Sequence, residues 1–366
     1  MFRGGGVKGL ALAGALLGFY EHPTRPIKRW RKVAGASAGA IIAGWLAVHG
    51  DDAVPSLEAL LFDTDFAQFA DFPSGGKLLG GGANLMLHHG LAHGTAFLEW
   101  FDEELDRATF DRVKDGDDWR LKLVAVDVTN QSLLLLPDDL SLYRERAEGP
   151  TIDPGVFSIA RAARMSMSIP YFFEPVILYR ERVRCTAPGR TTYTAGQIVD
   201  RREAAESDER CQSAGDEPAQ WEELEPEPSV IVDGGTLSNF PVWIFDADPD
   251  KGEKAQRMTF GFTLTGGKGI LPGSGWLAQM LPWPVQFGME IFQTAQSAWD
   301  RRFVSHSSRV RTVTVDAGDV ATTDFTLDRA TKDMLVRNGR TAAERFLADF
   351  DPAQYMNTYG VRFPPA

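Results

Sequence analysis

Gly35-Ala36-Ser37-Ala38-Gly39 is entered through Trp30–Ala34 and left through the apolar run Ala40–Val48. A serine where a strand passes into a helix sits on a tight, strained turn, and side chains two residues away on either side would collide. Glycine at both places leaves room for the crossing and exposes the Oγ. The helix that follows points its partially positive N-terminus at the place where an oxyanion would form. The same five residues also suit an inert turn between buried elements, so the rest of the chain has to decide.

Upstream lies Gly4-Gly5-Gly6-Val7-Lys8-Gly9. Three consecutive glycines let backbone N–H groups converge on one point, which suits an oxyanion hole or a phosphate cradle. Gly4-x-Gly6-x-x-Gly9 matches the dinucleotide fingerprint, but that site needs a strand before the loop and an acidic residue about twenty positions beyond it. Only Met1–Arg3 precede the loop here, and Glu21 falls too early. Lys8 is followed by Gly9 and Leu10, so no G-K-[ST] phosphate loop is present. The short lead-in implies either a very short first strand or residues missing upstream.

The 366 residues, 43% of them hydrophobic, suffice for one large α/β domain or two small ones. With 38 basic and 50 acidic residues the formal charge is −12, which argues against a nucleic-acid partner and against simple attraction to anionic membranes. A neutral lipid or ester substrate remains compatible. Cys185 and Cys211 form no C-x-x-C, so neither a disulfide framework nor a zinc site is expected, and a reducing compartment fits. Met1–Tyr20 resembles a signal peptide in outline but lacks a small-x-small cleavage site, and Ala34–Val48 is shorter than the ~20 residues of a spanning helix. Both read as buried helices of a cytoplasmic protein that contacts membranes peripherally at most.

Taken in order, the pattern predicts a helix over Leu10–His22, a strand over Trp30–Gly35 and a helix over Ala38–Gly50. Asp51–Trp100 alternates helical pieces with the glycine loops Gly75-Gly76 and Gly80-Gly81-Gly82, and reads as a cap. Its His88, His89 and His93 invite a metal, but no Glu or Asp completes a zinc pattern, so ordinary histidines and no metal are expected. Gly94–Arg107 reads as an amphipathic helix, and Leu121–Val128 with Ser132–Pro137 as a hairpin in which Asp127 is structural. Ser158–Ser168 reads as a helix followed by an aromatic cluster. From Arg201 to Pro228 ten acidic residues face three arginines with almost no apolar pattern, which reads as a solvated insertion. Gly266–Phe303, rich in Trp and Met, reads as core helices over a pocket or as a lid, and Thr326–Asp349 as a final helix.

Order returns at Val230-Ile231-Val232-Asp233-Gly234-Gly235, where an apolar strand delivers Asp233 beside two glycines. That carboxylate is placed to act as general base on a serine. The glycine loop, the G-x-S-x-G turn and the Asp-Gly-Gly turn, in this order, resemble the patatin-like phospholipases. Ala163–Pro175, with Ser168-Ile169-Pro170, and Asn239-Phe240-Pro241 extend the resemblance over about residues 1–250.

The resemblance implies a three-layer α/β/α fold around a mostly parallel sheet, with a nucleophile elbow near the N-terminus. It implies Ser37 as nucleophile, Asp233 as base without histidine, and Gly4, Gly5, Gly6, Lys8 and Gly9 as the oxyanion loop. Gly35, Ala36, Ala38 and Gly39 frame the elbow, and Gly234 and Gly235 the acidic turn. Residues 1–250 would form the catalytic domain with an acidic insertion at 180–228, and 251–366 an extension packed on it. No cofactor and no metal are expected; the expected partner is a lipid or small ester. Two rivals stand beside this reading. One is a lipid-binding protein of the same fold that has lost the chemistry. The other is a Ser-His-Asp α/β-hydrolase using His306, which would need several strands before Ser37.

Overall fold

The computed structural model describes residues 1–23, 27, 29–73, 88–185, 198–200, 221–246, 257–266, 287, 288, 291, 294 and 310–359. The helices among them are α1 (Gly9–Glu21), α2 (Ala38–His49), α3 (Val54–Asp63), α4 (Thr95–Glu104), α5 (Ile159–Ser166), α6 (Arg329–Asp349) and α7 (Pro352–Tyr359). The strands that carry the argument are β1 (Val33–Ala36), β2 (Gly90–Ala92), β3 (Leu121–Asp127), β4 (Ser132–Leu136), β5 (Tyr143–Arg144), β6 (Tyr171–Phe173), β7 (Val176–Cys185), β8 (Ile198–Asp200), β9 (Trp221–Asp233), β10 (Gly261–Thr265) and β11 (Thr312–Asp316). The fold is α/β.

α1 and α2 are apolar on every side, and such helices are stable only when surrounded; Gly9–Phe19 and Ala38–Ala47 are buried. The longer α6 is amphipathic, starts with the Asp328 carboxylate accepting from the Thr331 amide at 2.8 Å, and packs along α1. The Gly266–Phe303 reading and the glycine loops at 75–82 fall almost wholly outside the described residues, as does His306.

The sheet is mixed, which corrects the expectation of a mostly parallel one. β1 runs parallel to β3, and Phe2 bridges in parallel to both Gly35 and Phe262, which joins the parallel pair β10–β11. The rest is antiparallel: β4 and β9 on β3, β7 on β9, and β5 and β8 on β7. Antiparallel partners joined by short turns need no crossover helix, and the β3–β4 hairpin turns within Val128–Gln131.

Two details of register set up the site. The hairpin partner β4 occupies one edge of β3 from Leu123 to Asp127. A strand has only two edges, so β1 (against Leu121–Val124) and β9 (against Ala125–Asp127) must share the other. They run toward each other and meet end to end between Val124 and Ala125, with Ala36 and Asp233 as their last residues.

The second detail concerns the acidic stretch. Trp221–Pro228 is a ladder strand, not irregular chain, paired along β7. Its glutamates find their counter-charges on that partner: Arg184 reaches Glu222 at 2.8 Å and Arg182 reaches Glu227 at 3.1 Å. Residues 201–220 of the acidic stretch lie outside the described residues.

Candidate active site

Ser37 occupies the single residue between β1 and α2, at φ 52° and ψ −125°, and is 4% exposed. Positive φ in a non-glycine residue costs on the order of 1–3 kcal/mol and persists only where the surroundings enforce it. Here the Ser37 amide donates to Ser166 Oγ at 2.9 Å, and the Ser37 carbonyl accepts from the Ala40 amide at 2.7 Å. The flanking glycines are dictated by contact. A Cβ on Gly35 would lie 2.0 Å from the Gly39 carbonyl oxygen, and one on Gly39 2.2 Å from that of Phe2. Ala36 and Ala38 are buried.

Asp233 closes β9 and is also 4% exposed. Its carboxylate accepts the Gly235 amide at 2.7 Å, and the nearby Ser37 side chain favours its charged form. Its own amide donates to the Ser168 carbonyl at 3.0 Å. Burial pushes the carboxyl up to about 7, against the opposing pull of the Ser37 side chain and the Gly235 amide. Gly234 and Gly235 open a short 3-10 turn, and a Cβ on Gly234 would lie 2.2 Å from the Val124 carbonyl.

The first glycine loop lies beside the serine. A Cβ on Gly4 would come within 2.8 Å of Ser37 Cβ. Asn239 holds Gly4 at both ends: its carbonyl accepts the Gly4 amide, and its side-chain amide donates to the Gly4 carbonyl, each at 3.3 Å. Gly6 adopts φ +56°, and Val7 donates to the Thr322 carbonyl at 3.2 Å. Among the described residues the Gly5 and Gly6 amides take no backbone acceptor. Lys8 is buried, and burial followed by the charge of Arg3 brings its ammonium down to about 8. Gly9 begins α1 against Ala38, at 3.0 Å from an added Cβ.

The structure thus brings together Ser37, Asp233 and the Gly4–Gly9 loop from three separated stretches. Among the described residues no group of three or more His, Cys, Asp or Glu is arranged to hold a metal. His93 instead meets Glu174, Nδ1 to Oε1 at 2.6 Å. Asp127 is fully buried under donors from Tyr143, Asn130 and Arg180.

Four residues around the site carried no assigned role in the sequence: Arg164, Ser166, Ser168 and Asn239. The available signal was the pair of serines in Arg164-Met165-Ser166-Met167-Ser168, at the end of a helix in which every residue but Arg161 is buried.

The sequence pattern of the patatin-like phospholipases matches residues 1–246. The chain belongs to the patatin-like phospholipase family. Membership supports lipid acyl hydrolysis as the general activity. An uncharacterized protein of Bacillus subtilis (strain 168), YqhO, is 30% identical over 352 residues, covering 95% of this chain and 97% of the relative. Among solved structures, VipD from Legionella pneumophila is similar at a TM-score of 0.47 and 15% identity. That alignment covers 95% of this chain and 66% of the VipD chain. No helix among the described residues is long and apolar enough to cross a membrane.

Proposed function

We propose that this patatin-like protein is a serine acyl hydrolase acting on carboxylic esters of lipids through a Ser37–Asp233 dyad. The observation that carries the reading is the meeting of two buried strand ends, Ser37 after β1 and Asp233 closing β9, on adjacent residues of β3, with the carboxyl pushed by burial to about 7 and pulled back by the Ser37 side chain. A carboxylate with that affinity for protons is matched to proton transfer at neutral pH, where an ordinary aspartate is too weak a base.

In the first step Asp233 takes the Ser37 hydroxyl proton as Oγ attacks the ester carbonyl, and the carbonyl oxygen becomes the oxyanion. The Gly5 and Gly6 amides receive it, supported by the N-terminus of α2 and by protonated Lys8. Donors of this kind are typically worth ~3 kcal/mol each. Collapse releases the alcohol, which takes its proton from Asp233, and leaves an acyl-Ser37. Water, deprotonated by Asp233, then attacks the acyl carbon and restores the serine. The sharp β1–Ser37–α2 turn serves as the nucleophile elbow of a three-layer α/β/α body. No metal or cofactor enters this scheme.

The test is hydrolysis of p-nitrophenyl esters from acetate to palmitate, and of phosphatidylcholine vesicles, by wild type, Ser37→Ala and Asp233→Asn. Turnover by the wild type that both substitutions abolish supports the reading. A Ser37→Ala protein that keeps wild-type turnover overturns it. So does folded wild type with no turnover of any ester, which would favour the lipid-binding alternative.

A further inference from the structure

We propose that the end of α5 and the turn after it, Arg164–Ser168, is the positioning element of the dyad: Ser166 fixes the backbone of the nucleophile, and Ser168, locked by Arg164, fixes the backbone of the base. The proposal rests on the Ser37–Asp233 reading above and extends it to residues that touch neither substrate nor reacting atom.

The Ser166 hydroxyl is fully buried and uses both of its capacities. It accepts the Ser37 amide at 2.9 Å and donates to the Val124 carbonyl at 2.6 Å. Val124 is the register partner of Ala36, and its carbonyl also abuts Gly234. One carbonyl on the central strand therefore serves as the reference point for both approaching strand ends, and the Ser166 hydroxyl ties the nucleophile to it. Ser37 is held in a backbone conformation that it would otherwise leave, so the tie sets the direction of Oγ.

The base is set from the same turn. The Asp233 amide donates to the Ser168 carbonyl at 3.0 Å, and the Ser168 hydroxyl is fixed by Arg164 Nη1 at 2.6 Å and by the Arg164 carbonyl at 3.0 Å. Arg164 is itself buried, with its guanidinium over the Phe173 ring at 5.2 Å. Its remaining donors go to main-chain oxygens: Nε to Gly94 at 3.1 Å, and Nη2 to His93 at 2.5 Å and Glu174 at 2.9 Å. A planar five-donor cation reaches three chain segments at once, which a lysine ammonium cannot reproduce. Two residues of main chain, Ser166 to Ser168, thereby set the separation of nucleophile and base.

The experiment compares ester hydrolysis by wild type, Ser166→Ala, Ser166→Thr and Arg164→Lys, with Ser37→Ala and Asp233→Asn as controls. Each protein is titrated with a fluorophosphonate so that kcat is expressed per reactive serine, and folding is followed by circular dichroism. For Ser166→Ala we expect kcat per reactive serine to fall about 100-fold, the usual cost of a nucleophile misplaced by about 1 Å, with KM little changed. Ser166→Thr, which keeps the hydroxyl, should recover most of it. In Arg164→Lys, water gains access to the Asp233 carboxylate, and the acid limb of the pH–kcat profile should move to lower pH.

A purely structural Ser166 would reduce the fraction of reactive protein and leave kcat per reactive serine intact; that result overturns the proposal. So does an acid limb unmoved in Arg164→Lys, which decides the matter if Ser166→Ala does not fold. Full activity in Ser37→Ala or Asp233→Asn overturns the dyad reading and this proposal with it. Loss in those two alone, beside wild-type behaviour of the Ser166 and Arg164 variants, overturns only this proposal.

Discussion

Two strands of one sheet end in an aspartate after an apolar run, β3 in Asp127 and β9 in Asp233, and their surroundings give them opposite fates. The strands are neighbours, with Asp127 opposite Ile231 and Asp233 opposite Ala125, so both carboxylates lie on the same face of the sheet. Both are buried. Asp127 is saturated: the Tyr143 hydroxyl at 2.8 Å, the Asn130 amide at 3.0 Å, the Asn130 side chain at 2.7 Å and Arg180 at 3.5 Å all donate to it. Asp233 receives the Gly235 amide at 2.7 Å, has the Ser37 side chain beside it, and makes no ion pair among the described residues. The donors around Asp127 leave its oxygens engaged in holding the strand ends together, whereas Asp233, with fewer donors, is pushed by burial toward a high affinity for a proton. Burial is common to both, and the donor count separates structure from chemistry.

The comparison breaks most visibly in activity. Asp233→Asn should lower ester turnover by about 1,000-fold or more, within the range attributed to a positioned general base. Asp127→Asn, measured on folded protein, should stay within about tenfold of wild type. Comparable losses in both would mean that donor count does not sort the two roles.

Stability should respond in the opposite sense. Asp127→Ala leaves the buried Arg180 and the Tyr143 hydroxyl without their shared acceptor, and urea unfolding should show a loss of roughly 3–5 kcal/mol. Asp233→Asn should stabilise at neutral pH. The carboxyl holds its proton to about pH 7 in the folded protein, and gives it up near pH 4 when unfolded. Between those values the folded state binds more protons, so wild-type stability falls as pH rises, with a limiting slope of about 1.4 kcal/mol per pH unit from this one group. The asparagine variant lacks that slope. Melting curves of the two proteins should nearly coincide at pH 4 and separate progressively toward pH 7; parallel curves would show that Asp233 is not titrating as described.

The smallest effect concerns the far limb of the activity profile. Turnover should rise with pH as Asp233 ionises near 7, and decline as Lys8 loses its proton near 8. Lys8→Met should lower the maximum and flatten the decline without moving the acid limb. A decline that survives in Lys8→Met assigns the alkaline limb to another group.

What the sequence made legible follows the distance over which each feature is decided. The turn at Ser37 is local: its glycines, its strand and its helix are consecutive, and the helices at Gly9–Glu21 and Ala38–His49 fall within a residue of the reading from apolar pattern. Asp127 was legible as structural and Asp233 as a strand-end acid, because each closes an apolar run. The direction of the sheet was not, since antiparallel ladders such as β7–β9 depend on pairing between residues some forty positions apart. The same distance hid the order in Trp221–Pro228, where the arginines that offset the glutamates belong to Arg182 and Arg184 on the partner strand. Ser166, Ser168 and Arg164 escaped because their partners are backbone groups of other segments, and a main-chain acceptor leaves no mark on the sequence.

The most direct measurement is the pH dependence of fluorophosphonate labelling, with the adduct located by peptide mass mapping. The account predicts one adduct, on Ser37, formed at a rate that rises through about pH 7 in wild type and is lost in Asp233→Asn. An adduct on another serine, or a Ser37 rate that Asp233→Asn leaves unchanged, would contradict it.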